Sequence, residues 1–403
     1  MKQSPDLAVV RYGEAGIKSD KVRGQMLDRL ADNVRAILAD REIPGRVERR
    51  WSRILIRSPA DGAFPADDAA RAAADAFGAV STRPAITTAP EADALAEAAV
   101  ALTDDHPEGA TFAVRANRAG AASVHPFSSQ EVASEVGAAI GDATGAEVDL
   151  DDPDRTYRLD IREDEGFVSA VEYDGPGGLP VGTQGKVVVL FSGGIDSPVA
   201  AWELCKRGLE IVPVYLDLGD YGGSDHLARA VETAGTVARS APHVDARLRV
   251  VPAGDLVDDL VAATGPTRML SLRRAMLRTA EAVAEDVGAH SVATGESIGQ
   301  KSSQTGPNVR VTDPATSLPI HRPLLTRDKP EITEQARDIG TFLDATINVG
   351  CERVAPNYPE TNARLSEVEA AEPDDMLDRA AALADERYVV GENAESDGDT
   401  DDG

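Results

Sequence analysis

Five apolar residues at 187–191, VVVLF, lead directly into the small residues SGGIDSP at 192–198. The apolar run predicts a buried strand, and two glycines let backbone N–H groups face a bound anion without Cβ clashes. Ser197 suits a helix N-cap and Pro198 the first helical position, so the helix dipole favours an anion at the same place. The stretch therefore predicts a strand, a phosphate-binding loop and a helix. It lacks the Lys-Ser/Thr pair of loops that serve γ-phosphoryl transfer.

An acidic residue, Asp196, lies at the edge of this predicted anion site. A carboxylate there would be repelled by phosphate unless it holds a Mg²⁺ ion that bridges the two. The sequence therefore predicts Asp196 as a magnesium ligand. The alternative is a strand, turn and helix that bind no ligand.

Apolar runs recur through the C-terminal half at 187–191, 211–215, 248–251 and 291–293, with helical patterns between them. Strands that alternate with helices predict an α/β fold with a doubly wound parallel sheet. Ligands of such sheets bind at the carboxyl ends of the strands. We assign this domain to residues 186–390.

Two smaller α/β units are predicted before it, at 1–65 and 66–172. Strands at 7–11 and 54–56 flank a helix whose apolar residues share one face. Those residues are Met26, Leu27, Leu30, Val34, Ile37 and Leu38. A glycine-rich linker is predicted at 173–185. The last residues, 391–403, hold six acids and no base, which predicts a disordered tail.

The charge of the chain is strongly acidic and unevenly distributed. The formal net charge is −28, and positive charge is carried by 34 Arg against 7 Lys. Dense carboxylates keep a protein hydrated where salt screens charge, so this composition is typical of a salt-loving organism. An ordinary acidic protein is the alternative. Residues 1–60 instead hold 13 Lys/Arg and 8 Asp/Glu.

The two cysteines, Cys205 and Cys351, are too few and too distant for a Cys-rich zinc site or a disulfide framework. Either one would matter only as a reactive thiol. No apolar run has the length of a signal peptide or of a membrane span. We therefore expect a cytoplasmic protein without a membrane partner.

The loop SGGIDS resembles the pyrophosphate-binding loop of the ATP-pyrophosphatase (PP-loop) superfamily, whose members break the α–β bond of ATP and adenylate a substrate. Six stretches resemble, in order, the tRNA 4-thiouridine synthetase family. They are RYGEAGIKS (11–19), HPFSSQEVASEVGAAI (125–140), GKVVVLFSGGIDSPVAAW (185–202), LRRAMLRTAE (272–281), TGESIGQKSSQT (294–305) and RPLLTRDKPEI (322–332).

The resemblance implies a fold for each predicted unit. It implies a ferredoxin-like domain at 1–65, a THUMP RNA-binding domain at 66–172 and a PP-loop ATP-pyrophosphatase domain at 186–390. The chain resembles a short archaeal-type form, because it ends without the rhodanese-like domain of longer members. We therefore expect sulfur delivery to differ from theirs.

The resemblance also implies site residues. The ATP contacts are Leu190, Phe191, Ser192, Gly193, Gly194, Ser197, Tyr215, Leu216, Arg273, Gly295 and Gln304. The catalytic residues are Asp196, Lys329 and Cys351. Cys351 matches the spacing of the family's catalytic-domain cysteine, 22 residues beyond the lysine, and Cys205 is expected to be a buried hydrophobe.

Several of these assignments have simpler alternatives. Tyr215 and Leu216 would also suit core packing. Of Arg273 and Arg274, one would reach phosphate and the other would lie on a solvated face or contact RNA. Lys329 would also suit a surface charge at a helix start.

The expected function is ATP-dependent thiolation of uridine at position eight of tRNA, with ATP and Mg²⁺ required. The five basic residues Lys18, Lys21, Arg23, Arg49 and Arg50 are expected to form an RNA-binding face with the THUMP unit. The sulfur donor, such as a cysteine desulfurase or another source of persulfide or sulfide, and a homodimeric state are left open. The alternatives are another adenylating sulfurtransferase, for 2-thiouridine or the thiamine thiazole, and a non-catalytic tRNA-binding protein.

Overall fold

The computed structural model describes residues 3–50, 53–59, 64–119, 125–342 and 351–390. The predicted acidic tail, 391–403, lies outside these residues. The chain divides into two compact units between Pro180 and Val181, a position within the predicted linker. The domain boundaries drawn from sequence stay predictions.

The first unit is built on one mixed sheet with helices between its strands. Its elements are β1 (Leu7–Tyr12), α1 (Asp20–Asp40), β2 (Arg46–Arg50), β3 (Arg53–Arg57), α2 (Ala66–Ala74), β4 (Ala79–Thr88), α3 (Ala92–Ala101), β5 (Phe112–Arg118), α4 (Ser129–Thr144), β6 (Arg155–Ile161), β7 (Gly166–Ser169) and β8 (Tyr173–Asp174). The strand order is β2-β3-β1-β4-β7-β6-β5, and β8 pairs with β4.

Strand β4 connects the two halves of this sheet. Its residues 79–85 pair antiparallel with β1, and residues 86–88 pair antiparallel with β7. Each half has its own apolar core. Helices α1 and α2 pack on β1 and β3, whereas α3 and α4 pack on β5, β6 and β7. The predicted apolar face of α1 is confirmed, because all six of its residues are buried.

The second unit is the doubly wound α/β domain. Its elements are β9 (Lys186–Phe191), α5 (Asp196–Lys206), β10 (Glu210–Asp217), α6 (Ser224–Ala238), β11 (Arg249–Pro252), α7 (Gly254–Ala263), α8 (Arg268–Val287), β12 (Val292–Ala293), α9 (Gly306–Thr312), β13 (Ile320–His321), α10 (Lys329–Asp338), α11 (Cys351–Val354), α12 (Leu365–Ala371), α13 (Met376–Ala382) and β14 (Tyr388–Val389). The strand order is β13-β12-β9-β10-β11-β14.

The four strands predicted from apolar runs are β9 to β12, and they are parallel as predicted. The structure adds the short parallel strand β13 and the antiparallel edge strand β14. From β9 the chain proceeds to β10 and β11 on one side and later to β12 and β13 on the other. The order of strands therefore reverses at β9, where α/β sheets open a crevice for ligands. In the part of the chain that the structure describes, no helix combines the length and apolarity needed to cross a membrane.

Candidate active site

A cavity of about 780 Å³ opens at the carboxyl ends of β9 and β12. This volume lies within the ordinary range for small-molecule sites. The predicted site residues that line it are Leu190, Phe191, Ser192, Gly193, Gly194, Asp196, Ser197, Arg273, Gly295, Gln304 and Lys329. The fold therefore gathers residues from five separate segments of the chain at the expected edge of the sheet.

The loop between β9 and α5 is closed by its own serines. The backbone N–H of Ser192 donates to the Ser197 hydroxyl at 3.0 Å, and that hydroxyl lies 3.2 Å from the Ser192 carbonyl oxygen. Helix α5 begins at Asp196 with Ile195 as its N-cap, so the prediction that Ser197 caps the helix was wrong. Pro198 is the third helical residue, where its missing N–H still costs no intrahelical bond. Ser197 fixes the loop instead of capping the helix.

Two glycines allow close backbone approaches at this loop. A Cβ atom on Gly193 would lie 2.9 Å from the backbone oxygen of His226, and one on Gly295 would lie 2.9 Å from the backbone nitrogen of Ser197. Real Cβ atoms are almost never found so close to other heavy atoms. The turn after β12 therefore packs directly on the first turn of α5, which holds the anion loop in place.

Asp196 and Lys329 form an ion pair. The Lys329 Nζ atom lies 2.7 Å from Asp196 Oδ1, although the two residues are 133 positions apart in the chain. Gln300 Nε2 donates to the other carboxylate oxygen at 3.3 Å. A quarter of the aspartate side chain and about half of the lysine side chain remain exposed. Sequence reasoning missed Gln300, although its segment, GESIGQ, had been recognised.

A buried carboxylate holds Arg273 at the cavity wall. Glu296 Oε1 pairs with Arg273, and Glu296 Oε2 accepts from Arg322 Nε at 2.7 Å. Arg273 Nε also donates to Ser303 Oγ at 3.0 Å. Removing this carboxylate would take a shared counter-ion from both guanidinium groups, although Arg322 Nη2 would keep its bond to Asp313 Oδ1 at 2.5 Å. Glu296 and Arg322 were not predicted, since nothing in a lone Glu or Arg shows that it will be buried.

The neighbouring arginine has a structural role. Arg274 is 2% exposed, and its Nε donates to Glu372 at 2.8 Å while its Nη2 lies 3.3 Å from Glu369. Burial raises the pKa of the Glu372 carboxyl, and the charge of Arg274 opposes that shift. The alternative of a solvated or RNA-contacting side chain was therefore wrong for Arg274, which ties α12 and the residue after it to α8.

Two predicted ATP contacts lie away from the cavity wall. Tyr215 and Leu216 end β10 and are 5% and 3% exposed, and neither is among the residues that line the cavity. Tyr215 is in register with Phe191 of β9, which does line it. Their role toward ATP stays a prediction, and their burial agrees with the core-packing alternative.

The structure describes the side chain of Cys205 but not that of Cys351. Cys205 is 2% exposed near the end of α5, and burial raises the pKa of its thiol to about 12. The predicted burial of Cys205 is confirmed. Cys351 begins α11, directly after residues 343–350, which lie outside the described residues, as does its own side chain. Ala355, four positions later, lines the cavity, so the Cys351 backbone is within about 14 Å of the cavity wall by chain length.

The described residues contain no group of three or more His, Cys, Asp or Glu side chains that would enclose a metal ion. Mg²⁺ commonly binds one or two carboxylates together with substrate phosphates and water. Asp196, partly exposed beside the glycine loop, fits that requirement. Its pairing with Lys329 places a positive charge against the same carboxylate.

Gly295→Ala tests whether the close packing of this turn sets the geometry of the site. We expect pyrophosphate release from ATP to fall about 100-fold, because the added Cβ must displace the backbone at Asp196 and Ser197. Gly235→Ala in α6 is the matched control, since an added Cβ meets nothing within 4 Å there. Equal activity of the two variants would contradict the packing argument.

Known proteins resemble the chain over most of its length. The model of the family described as thiamine biosynthesis protein (ThiI) matches residues 182–377, a THUMP domain matches 89–171, and a ThiI ferredoxin-like domain matches 7–82. A probable tRNA sulfurtransferase of Halobacterium salinarum is 52% identical and covers 94% of this chain and 96% of its own length. One from Methanosarcina acetivorans is 38% identical and covers 89% and 87%.

Solved structures agree with these relatives. A 4-thiouridine synthetase crystallised with RNA and bound ATP has a TM-score of 0.81 at 28% identity, covering 95% of this chain and 98% of that one. A Pyrococcus horikoshii protein, PH1313, shares the fold with a TM-score of 0.64 at 23% identity, covering 83% and 99%. On the evidence of its fold, its three matched domains and its 52% identical relative, the chain belongs to the tRNA sulfurtransferase family.

Proposed function

We propose that this protein transfers sulfur to tRNA in an ATP-dependent reaction, adenylating the uridine at position eight and replacing its C4 oxygen with sulfur to give 4-thiouridine. The observation that carries the proposal is the convergence of the glycine loop, Asp196 and Lys329 in one cavity at the switch point of the sheet. The relative crystallised with RNA and ATP supports the choice of substrates.

The chemistry requires activation because the C4 oxygen of uracil is a poor leaving group. In the first step this oxygen attacks the α-phosphorus of ATP, and pyrophosphate leaves. The loop amides at 192–194 and the ammonium of Lys329, which line the cavity, would stabilise the charge that develops on the phosphates. In the second step a sulfur nucleophile attacks C4, and AMP leaves with the former C4 oxygen.

Mg²⁺ would be held by Asp196 and would neutralise charge on the departing pyrophosphate. Arg273, fixed by Glu296, would contribute a second positive group at the cavity wall. We further propose that Cys351 carries the incoming sulfur and that the protein works in the cytoplasm. A persulfide donor passes its outer sulfur to the Cys351 thiolate and leaves as a thiol. After that sulfur attacks C4, an external thiol cleaves the bond between Cys351 and the sulfur and releases 4-thiouridine. Free sulfide, where it is supplied, would attack C4 directly.

We propose that tRNA is bound by the first unit. The five basic residues predicted for this role lie on or directly before α1 and β2. Arg23 and Arg49 pair with Asp20 and Asp28 at 2.7 Å. Exposed ion pairs of this kind are worth only about 0–1 kcal/mol, so phosphate groups can replace the acids as partners.

Removing two exposed lysines tests this binding face. The double change Lys18→Ala and Lys21→Ala should weaken tRNA binding and reduce the slope of log affinity against log salt by about 2, since each phosphate contact contributes about 0.9. Fluorescence titration at several salt concentrations measures both quantities. Lys186→Ala, an exposed lysine of the second unit at the amino end of β9, should leave the slope unchanged. Equal slopes in all proteins would refute the assignment.

The function itself is tested by analysing tRNA nucleosides. A strain without this protein should lack 4-thiouridine, and the gene should restore it. Loss of 2-thiouridine instead would support the rival sulfurtransferase. Unchanged thionucleosides would show that the protein is not the enzyme that makes them.

A further inference from the structure

A segment of ten residues, 354–363, runs from the cavity wall to α9, and we call it the strap. Ala355 near its start lines the cavity. At its far end the carbonyl of Thr361 accepts from the hydroxyl of Thr305 at 2.6 Å. Thr305 caps α9 and directly follows Gln304, another residue of the cavity wall. The strap is therefore attached to the site at both ends.

Asn308 of α9 fixes the same end a second time. Its side-chain nitrogen donates to the Glu360 carbonyl at 2.9 Å, and its side-chain oxygen accepts from the Ala363 N–H at 3.0 Å. The Glu360 N–H donates to the Pro266 carbonyl at 2.9 Å. These bonds fix the far end of the strap at residues 360–363, because Asn308 itself is fully buried. At the near end, Arg268 Nη1 donates to the Val354 carbonyl at 3.3 Å.

In the middle of this fixed strap, Tyr358 is 86% exposed, which exceeds the exposure of every other large hydrophobic side chain that the structure describes. It lies three positions after Ala355 and three positions before Thr361. At a maximum of about 3.6 Å per residue, its Cα lies within about 11 Å of each. The backbone of Tyr358 therefore lies close to the cavity wall, and its exposed ring contributes almost nothing to the apolar core.

The charge of the second unit favours a ring as its contact with RNA. Residues 181–403 contain 21 Lys/Arg against 37 Asp/Glu, so this unit repels a phosphate backbone as a whole. Salt further weakens ion pairs with phosphate. Stacking of a base on an aromatic ring needs no charge and tolerates any base. Aromatic residues make up only 4% of the chain, and a tyrosine that is 86% exposed leaves its ring available for such stacking.

We propose that Tyr358 is a stacking surface for the unpaired nucleobase adjacent to the target uridine of tRNA. This inference rests on the proposed function. The C4 oxygen of the target must reach ATP inside the cavity, so the target base leaves its stack and its neighbour loses a stacking partner. Tyr358, outside the cavity wall but within one or two nucleotides of it, replaces that partner.

The test is a steady-state thiolation assay with sulfide as the sulfur source and tRNA as the varied substrate. Tyr358→Ala should raise the KM for tRNA roughly 5- to 150-fold, the effect of removing one base stack. ATP binding, followed by calorimetry, should stay unchanged. Tyr358→Phe should restore the wild-type KM because the ring suffices. Tyr388→Ala, at the other exposed tyrosine, is the matched control and should behave as wild type.

The outcomes separate the inference from the proposed function. Wild-type protein that forms no 4-thiouridine under these conditions would overturn both. If the wild-type protein is active and Tyr358→Ala has the same KM for tRNA, the inference about Tyr358 is wrong and the proposed function stands. A defect seen with a protein persulfide donor but not with sulfide would also overturn the inference, since the ring would then dock the donor protein. Because the side chain is exposed, its removal leaves the fold intact.

Discussion

Asp196→Ala should abolish pyrophosphate release, by at least about 100- to 1,000-fold, while tRNA binding stays near the wild-type level. The variant leaves Lys329 without its partner at 2.7 Å and removes the carboxylate proposed to hold Mg²⁺. The basic face proposed to bind tRNA belongs to the first unit and is not touched by the change. Release of pyrophosphate in the presence of tRNA, together with tRNA binding by titration, measures both expectations.

The fold should survive this change. An acid in the first turn of a helix contributes about 0.3–1 kcal/mol, and a partly exposed ion pair adds about as little. Asp225→Ala provides the control, because Asp225 is an exposed acid in the first turn of α6 and does not line the cavity. Asp225→Ala should lower the free energy of unfolding by a similar amount and should retain pyrophosphate release. Undiminished pyrophosphate release from Asp196→Ala would remove Asp196 from the catalytic residues.

Cys351→Ser should eliminate 4-thiouridine when it replaces the wild-type gene in a deletion strain, whereas Cys205→Ala should retain it. Only a thiolate accepts sulfur as a persulfide, and the Cys205 thiol stays protonated because burial raises its pKa to about 12. Alanine is the better control at position 205, since serine would bury an unpaired hydroxyl. Mass spectrometry of digested tRNA gives the readout.

A second measurement distinguishes a sulfur carrier from a residue needed for folding. Purified Cys351→Ser protein should still release pyrophosphate on addition of tRNA, because adenylation precedes sulfur transfer. Loss of pyrophosphate release would mean that Cys351 supports the adenylation site. Loss of 4-thiouridine in the Cys205→Ala strain would point to a partnership between the two thiols.

The sequence predicted the parts of the site that depend on local pattern. The parallel strands followed from apolar runs, and the glycine loop followed from the small residues after β9. What it did not provide was the pairing of distant groups. Asp196 and Lys329 were predicted separately, and their contact across 133 positions appears only in the folded chain.

The burial of charged side chains was equally impossible to predict from the sequence. Glu296, Arg322 and Arg274 look like surface residues in a chain with 27% charged residues. In the structure Glu296 and Arg274 are buried, the Arg322 side chain is only 9% exposed, and all three form ion pairs. The role of Ser197 was misjudged because helix α5 starts two residues earlier than the Ser-Pro signal suggests. Helix starts commonly shift by one or two residues, since several nearby positions satisfy the first N–H groups comparably.

The continuous strand β4 has a consequence for how the first unit loses its structure. Because one ten-residue strand supplies backbone partners to β1 and to β7, neither half of the sheet can open there without exposing N–H and C=O groups of the other. The two apolar cores are thereby coupled, and we expect them to melt in a single cooperative transition. Amide protons of β4 should then exchange with solvent only through that global opening and rank among the slowest in the unit.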